Sequence, residues 1–180
     1  MKQELREEIE IPEGTTVRLD KGMFSIKGTG GELSRKFQNP RINSKIEGNK
    51  IIFRAKATQR EKKLIKSFSA HLRNMMRGAS QAHVYKLKIC SGHFPMTASV
   101  KGKVFEVKNF VGEKVARTLN IPEGVNVKVE GEQIAIQSID KEAAGQTAAR
   151  IENLTRRAGF DRRIFQDGIY ITEKDGKKIE

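Results

Sequence analysis

Tryptophan is absent from this 180-residue chain, cysteine occurs once, tyrosine twice and histidine three times. Each shortage excludes something. A single cysteine, Cys90, forms no internal disulfide, and its place in the alternating stretch Tyr85 to Cys90 marks a small packing residue and not a nucleophile. His71, His83 and His93 are scattered, with neither an HExxH pattern nor cysteine companions, which argues against a metal site. Nine phenylalanines and two tyrosines form no RNP-type aromatic strand. Any RNA recognition is therefore expected through shape and phosphates more than through base stacking on a sheet. The one glycine cluster, Gly28-Thr29-Gly30-Gly31, lacks the Gly-Lys-Ser/Thr of a P-loop and the spacing of a dinucleotide site, and reads as a flexible loop between strands. No run is long and apolar enough to span a membrane, and Met1 to Glu8 is charged where a leader peptide needs an apolar stretch. The reading is a soluble, cytoplasmic protein with no catalytic residues, cofactor, metal or small-molecule substrate.

Positive charge, by contrast, is abundant. The net charge is +13 and the pI near 10.0, a surplus that answers to a polyanion. It is also uneven: residues 35–103 hold 17 basic and 2 acidic side chains, whereas 140–180 hold 9 and 8.

Comparison of the chain with itself exposes a duplication. Phe24-Ser25-Ile26-Lys27 recurs as Phe105-Glu106-Val107-Lys108, and Gly31-Glu32-Leu33 as Gly112-Glu113-Lys114. Ile46-Glu47-Gly48 recurs as Val129-Glu130-Gly131, always in order and always 81 to 83 residues on. The predicted architecture is α+β: two tandem domains, 1–81 and 82–180, each an antiparallel β-sheet packed against one α-helix. Each copy reads as hairpin, second hairpin, then helix. The turns fall at Asp20-Lys21-Gly22, Glu47-Gly48-Asn49, Lys101-Gly102-Lys103 and Glu130-Gly131-Glu132, with Pro40 and Pro122 outside the strands. Thr58-Gln59-Arg60-Glu61 is a capping box that opens the first helix, and Gly78 is its expected left-handed stop. Ile65, Phe68, Leu72 and Met75 or Met76 share its inner face. The second helix is expected from about Asp140 to Arg157, ending at Gly159, with Ala144, Ala148, Ile151 and Leu154 against a closer sheet.

Two groups of basic residues stand out. Lys62, Lys66, Arg73 and Arg77 line one stripe of the first helix with no acidic residue interleaved after Glu61, so the usual pairing along a charged helix is missing. Arg156-Arg157 and Arg162-Arg163 bracket the end of the second helix and the loop beyond, where guanidinium forks suit phosphates and a helix C-terminus favours cations. Asp167-Gly168 is expected to form a tight turn there. Lys101 and Lys103 at a hairpin turn and Lys174 near the C-terminus complete the RNA-binding candidates.

Ser69 to Gly78, His93-Phe94-Pro95, Lys108 to Lys114 and above all Arg163-Ile164-Phe165-Gln166-Asp167-Gly168-Ile169-Tyr170-Ile171, with Gln146 upstream, make the chain resemble a known family over essentially its whole length. It is the universal large-subunit ribosomal protein six family, in its archaeal and eukaryotic branch; the lack of long extensions favours the archaeal side. The resemblance implies a non-catalytic structural constituent of the large subunit, bound to 23S-type rRNA near the stalk base and the region where translation factors dock, with other ribosomal proteins as neighbours. It also implies that the C-terminal domain is the main rRNA anchor, although the charge surplus lies in 35–103. Two readings from other classes stay open: a basic scaffold that meets an acidic protein, and a nucleic-acid enzyme with metal-dependent turnover.

Overall fold

The computed structural model describes residues 4–161 and 163–179. It divides into two compact units, 1–82 and 83–180.

In the first unit, β1 (Glu4–Glu10), β6 (Lys50–Lys56) and β5 (Ile42–Glu47) form one antiparallel sheet, in the order β1-β6-β5. A meander of β2 (Thr16–Asp20), β3 (Met23–Gly28) and β4 (Gly31–Lys36) forms the other. Helix α1 (Gln59–Ser80) packs on both, and Phe24, Ile26, Ile51, Phe53, Ile65 and Leu72 are fully enclosed or nearly so. Each such side chain contributes about 1.5–3 kcal/mol of burial.

The second unit repeats this plan. Its meander is β8 (Thr97–Lys101), β9 (Val104–Lys108) and β10 (Arg117–Asn120), and its hairpin is β11 (Val125–Glu130) with β12 (Gln133–Ser138). Helix α2 (Lys141–Leu154) follows, capped by the Asp140 carboxylate on Glu142 N–H at 2.9 Å. The duplication reaches single hydrogen bonds. Phe37 N–H donates to Gly22 O and Ile121 N–H to Lys103 O, each at 2.8 Å. Ile11 N–H to Asn49 O at 3.0 Å is matched by Ile89 N–H to Glu132 O at 2.8 Å.

Five expectations need correction. Each copy holds more strands than two hairpins: β4 and β10 complete meanders, and β1 and β7 (His83–Cys90) open each copy. Strand β7 alternates cleanly and lies inside its sheet, because β13 (Gly168–Lys174) pairs on its other edge and is extended by β14 (Lys177–Lys178). Strand β1 ends its sheet and carries Glu4, Glu7, Glu8 and Glu10, charges that blunt an open edge and hide the strand from a hydrophobicity pattern.

The glycine cluster is not a flexible loop. It is the tight β3–β4 connection pressed on the end of α1, where Gly30 N–H donates to Ala79 O at 2.7 Å. The same contact explains why α1 does not stop at Gly78: a tertiary donor satisfies a terminal carbonyl and the helix runs to Ser80. Gly78 is buried in the helix and does not take the left-handed conformation. A Cβ on Gly28 would lie 2.5 Å from Ala79 O, a clash with backbone that no rotamer relieves. Gly28→Ala is thus expected to cost about 2–3 kcal/mol and lower the melting of this unit by about 10 °C or more. Melting within about 2 °C of the parent would contradict the packing described.

The capping box is only half formed. Thr58 accepts from Glu61 N–H at 3.5 Å, but Thr58 N–H donates to Lys56 O, and the buried Glu61 carboxylate turns to Arg41 at 3.3 Å. Helix α2 ends at Leu154, short of Gly159, which lies in the following loop with φ +83°. The chain tightens there, Thr155 and Arg156 N–H groups donating to Glu152 O and Asn153 O. Close approach of α2 to its sheet is real: Tyr85 Oη lies 3.2 Å from where a Gly145 Cβ would be.

Candidate nucleic-acid interface

The α1 stripe has an acidic partner after all, supplied by another element. Glu7 of β1 faces the helix and receives Lys66 Nζ at 2.9 and 3.0 Å and an Arg73 guanidinium nitrogen at 3.5 Å. Pairing along the helix does not reveal it, because the partner lies 59 and 66 positions away in the chain. Lys62 and Arg77 are exposed on the same helix. Lys101 pairs with Glu106 at 2.9 Å and Lys103 with Glu123 at 2.8 Å. The hydrogen bond from Lys101 dominates in holding the Glu106 carboxyl below its ordinary range. Much of the apparent surplus in these stretches is thereby engaged internally. Lys174 ends β13, opposite Lys177 of β14, with its side chain exposed.

The other candidate set converges at one end of the second unit, where three loops meet. They are 91–96, the 3-10 turn Phe110–Gly112 with its flanks, and 155–167. Arg117 of β10 organises the spot. Its guanidinium donates to Glu113 at 2.8 and 2.6 Å and to Leu154 O at 2.6 Å, and it lies 4.4 Å from the Phe110 ring centroid. It is therefore Arg117, and not Arg156 or Arg157, that supplies the cation at the C-terminus of α2. The paired hydrogen bonds hold the Glu113 carboxyl below and the Arg117 guanidinium above their usual ranges.

Freed from that structural duty, Arg156 and Arg157 sit in the exposed chain just past the helix. Arg157 stacks 4.1 Å from the Phe160 centroid; Phe160 meets Phe165 edge-on at 5.1 Å, and Phe165 meets the His93 ring at 5.1 Å. Arg163 is highly exposed and chelated by Asp161 at 2.8 to 3.2 Å, which fixes its direction in the loop. Arg162 lies outside the described residues.

Asp167-Gly168 is not a tight turn. Gly168 already pairs with Cys90 as the first residue of β13. The Asp167 carboxylate accepts from Gly92 N–H at 2.7 Å, His93 N–H at 3.0 Å and the His93 ring at 2.6 Å, tying loop 91–96 to loop 155–167. Burial pushes the Asp167 carboxyl up, but the hydrogen bonds from His93 and Gly92 outweigh it and hold it below the usual range. The sign follows: a carboxyl depressed by folding contributes stability above its unfolded value, near 3.9, and loses it as pH falls through the lower folded value. Asp167→Asn should thus melt lower than the parent at pH 7, with the gap closing below about pH 4 as the parent's carboxyl protonates. A gap independent of pH, read by thermal unfolding from pH 3 to 7, would contradict the clamp.

Sequence reasoning missed Arg117, His93 as a clamp, and the Phe160–Phe165 pair. The motifs carrying His93 and Asp167 are each visible, but their contact spans 74 residues and no periodicity announces it.

A family model described as Ribosomal protein L6 matches residues 11–82 and 94–168, one stretch in each unit. Among curated proteins, the chain is 41% identical over 176 residues to the large ribosomal subunit protein uL6 of Methanococcus vannielii, covering 97% of each. It is likewise 41% identical over 175 residues to the large ribosomal subunit protein uL6 of Methanosarcina mazei, covering 97% of this chain and 99% of that one.

Proposed function

We propose, from the premise that this chain belongs to the ribosomal protein L6 family in its archaeal branch, that it is a cytoplasmic, rRNA-bound component of the large ribosomal subunit. The family is one of structural ribosome components, and the chain is not an enzyme. Its partners are 23S-type rRNA and neighbouring large-subunit proteins. Its proposed place is near the stalk base, beside the surface where translation factors dock.

One observation carries the assignment of the anchor. In the second unit, Arg156, Arg157 and Arg163 are exposed on one loop, and the acids of that loop and of its neighbour are already engaged, Asp161 by Arg163, Asp167 by His93 and Glu113 by Arg117. Guanidinium groups held in place, as Arg157 is on Phe160 and Arg163 by Asp161, bridge phosphates and set position, whereas the diffuse basic surface elsewhere adds affinity without register. The α1 stripe, Lys101, Lys103 and Lys174 belong to that second role.

The test is equilibrium binding of the full chain to large-subunit rRNA across a salt series. Counterion release predicts a linear fall of log K with log salt, of slope about −0.7 to −0.9 for each phosphate neutralised. A flat salt response, or preference for an acidic protein over rRNA, would favour the scaffold reading instead.

A further inference from the structure

We propose that the cavity among the loops of the second unit receives one unstacked nucleobase of the bound RNA, with its flanking phosphates on Arg156 and Arg157. The proposal rests on the rRNA-binding reading above and adds the chemistry of a subsite to it.

The cavity measures about 240 Å³ and lies between the 3-10 turn, the end of α2 and the loop before β13. On the order of eight waters would fill it, at ~30 Å³ each. Its walls include Phe110, Phe160, Phe165 and Tyr170, and both arginines border it. Phe110 is itself buried beneath Arg117, as Phe24, Phe53 and Phe105 are buried in the cores, whereas Phe94, off the cavity, is 44% exposed. Phe160 and Phe165 are 39% and 40% exposed, an unfavourable display unless something covers their faces.

They are not loosely displayed. Phe160 is contacted by the Arg157 guanidinium and by the Phe165 ring, and Phe165 also by His93, itself held by Asp167. The neighbouring wall is stiff in a costly way, because Val111, a β-branched residue, adopts φ +50°. Acidity does not contradict an anionic occupant. Glu152 accepts Ile171 N–H at 3.2 Å, and Asp167 is occupied by loop 91–96. Asn153, also on the cavity, offers an amide donor and acceptor for a base edge.

A nucleobase in a strand satisfies every part of this arrangement: a π face for the rings, polar edges for the amide and phosphates for the guanidinium groups. A purely apolar ligand would leave two arginines uncompensated, and an acidic peptide would leave the ring faces bare.

Base stacking and phosphate contact differ in their salt signature, and the experiment uses that. The full chain and its variants are titrated with large-subunit rRNA at several salt concentrations, with chemical probing of unpaired bases in parallel. Phe165→Ala is expected to weaken binding about 10-fold with an unchanged salt slope, since a stacked base is lost and no phosphate contact, whereas Phe160→Ala, which also frees Arg157, should weaken it at least as much. Phe165→Leu, which keeps the apolar bulk, should still weaken it, whereas Phe165→Trp should restore it to within about 3-fold. Arg156→Gln with Arg157→Gln should instead reduce the slope by about 1–2. One unpaired base protected by the parent should become reactive with Phe165→Ala. If the parent binds and the phenylalanine variants bind equally well, lose affinity only through slope, or leave the probing pattern unchanged, the pocket reading is wrong. A parent chain that does not bind rRNA overturns the RNA reading itself, and the pocket with it.

Discussion

Arg117→Ala is expected to lower the melting temperature of the second unit by about 10–20 °C, the scale of a loss of 2–3 kcal/mol in a domain of this size. One side chain ties three parts of the fold together: its paired hydrogen bonds to Glu113 hold the loop after the 3-10 turn, its bond to Leu154 O closes the end of α2, and its face covers Phe110. It is only 26% exposed, so solvent replaces little of what is lost, and truncation leaves the Leu154 carbonyl and the Glu113 carboxylate without their donor. Charge alone does not substitute, because Lys cannot form the bidentate pair and the third bond together. Arg117→Lys should recover less than half of the loss. Melting of Arg117→Ala within about 2 °C of the parent would show that the clamp is incidental.

The triple change Arg156→Gln, Arg157→Gln and Arg163→Gln is expected to weaken binding to large-subunit rRNA on the order of 100-fold near physiological salt and to flatten the salt slope by roughly 2–3. All three residues are exposed, and none lies in the core of its unit, so the fold should persist. Arg163 has the further property that Asp161 holds it in place. Asp161→Ala should accordingly weaken binding even though it removes a negative charge, because a directed fork becomes a free one. Tighter binding by Asp161→Ala would mean that net charge, and not position, governs the site.

The periodic parts of this fold were legible in the residues. Ile65, Leu72 and Met75 at helical spacing and the turns at Gly22, Gly48, Gly102 and Gly131 need only local rules, and the duplication doubled each signal. Helix ends were misread because tertiary donors set them: Gly30 N–H reaches the end of α1, and Arg117 the end of α2. Strand β1 escaped because an edge strand is stabilised against mispairing by the same glutamates that erase its alternation. The candidate interface was half visible. Arginine pairs show in a sequence; which acids neutralise which bases does not, and Glu7, Asp161 and Glu106 redistribute the charge that residue counts assigned to whole segments. The aromatic cluster of Phe160, Phe165 and His93 exists only through loop contacts and left no periodic trace.

The central claim is that the loop cluster of the second unit, and not the larger positive surplus of the first, anchors the protein on rRNA. The most direct measurement compares two full-length variants on large-subunit rRNA over one salt series. One carries Gln at Arg156, Arg157 and Arg163; the other carries Gln at Lys62, Lys66, Arg73 and Arg77. The loop variant is predicted to lose the larger share of affinity, together with the protection of rRNA seen with the parent, while the stripe variant loses about 10-fold or less and keeps the parent's footprint. A stripe variant that binds more weakly than the loop variant, or loses the footprint that the loop variant retains, would contradict the account and move the anchor to α1.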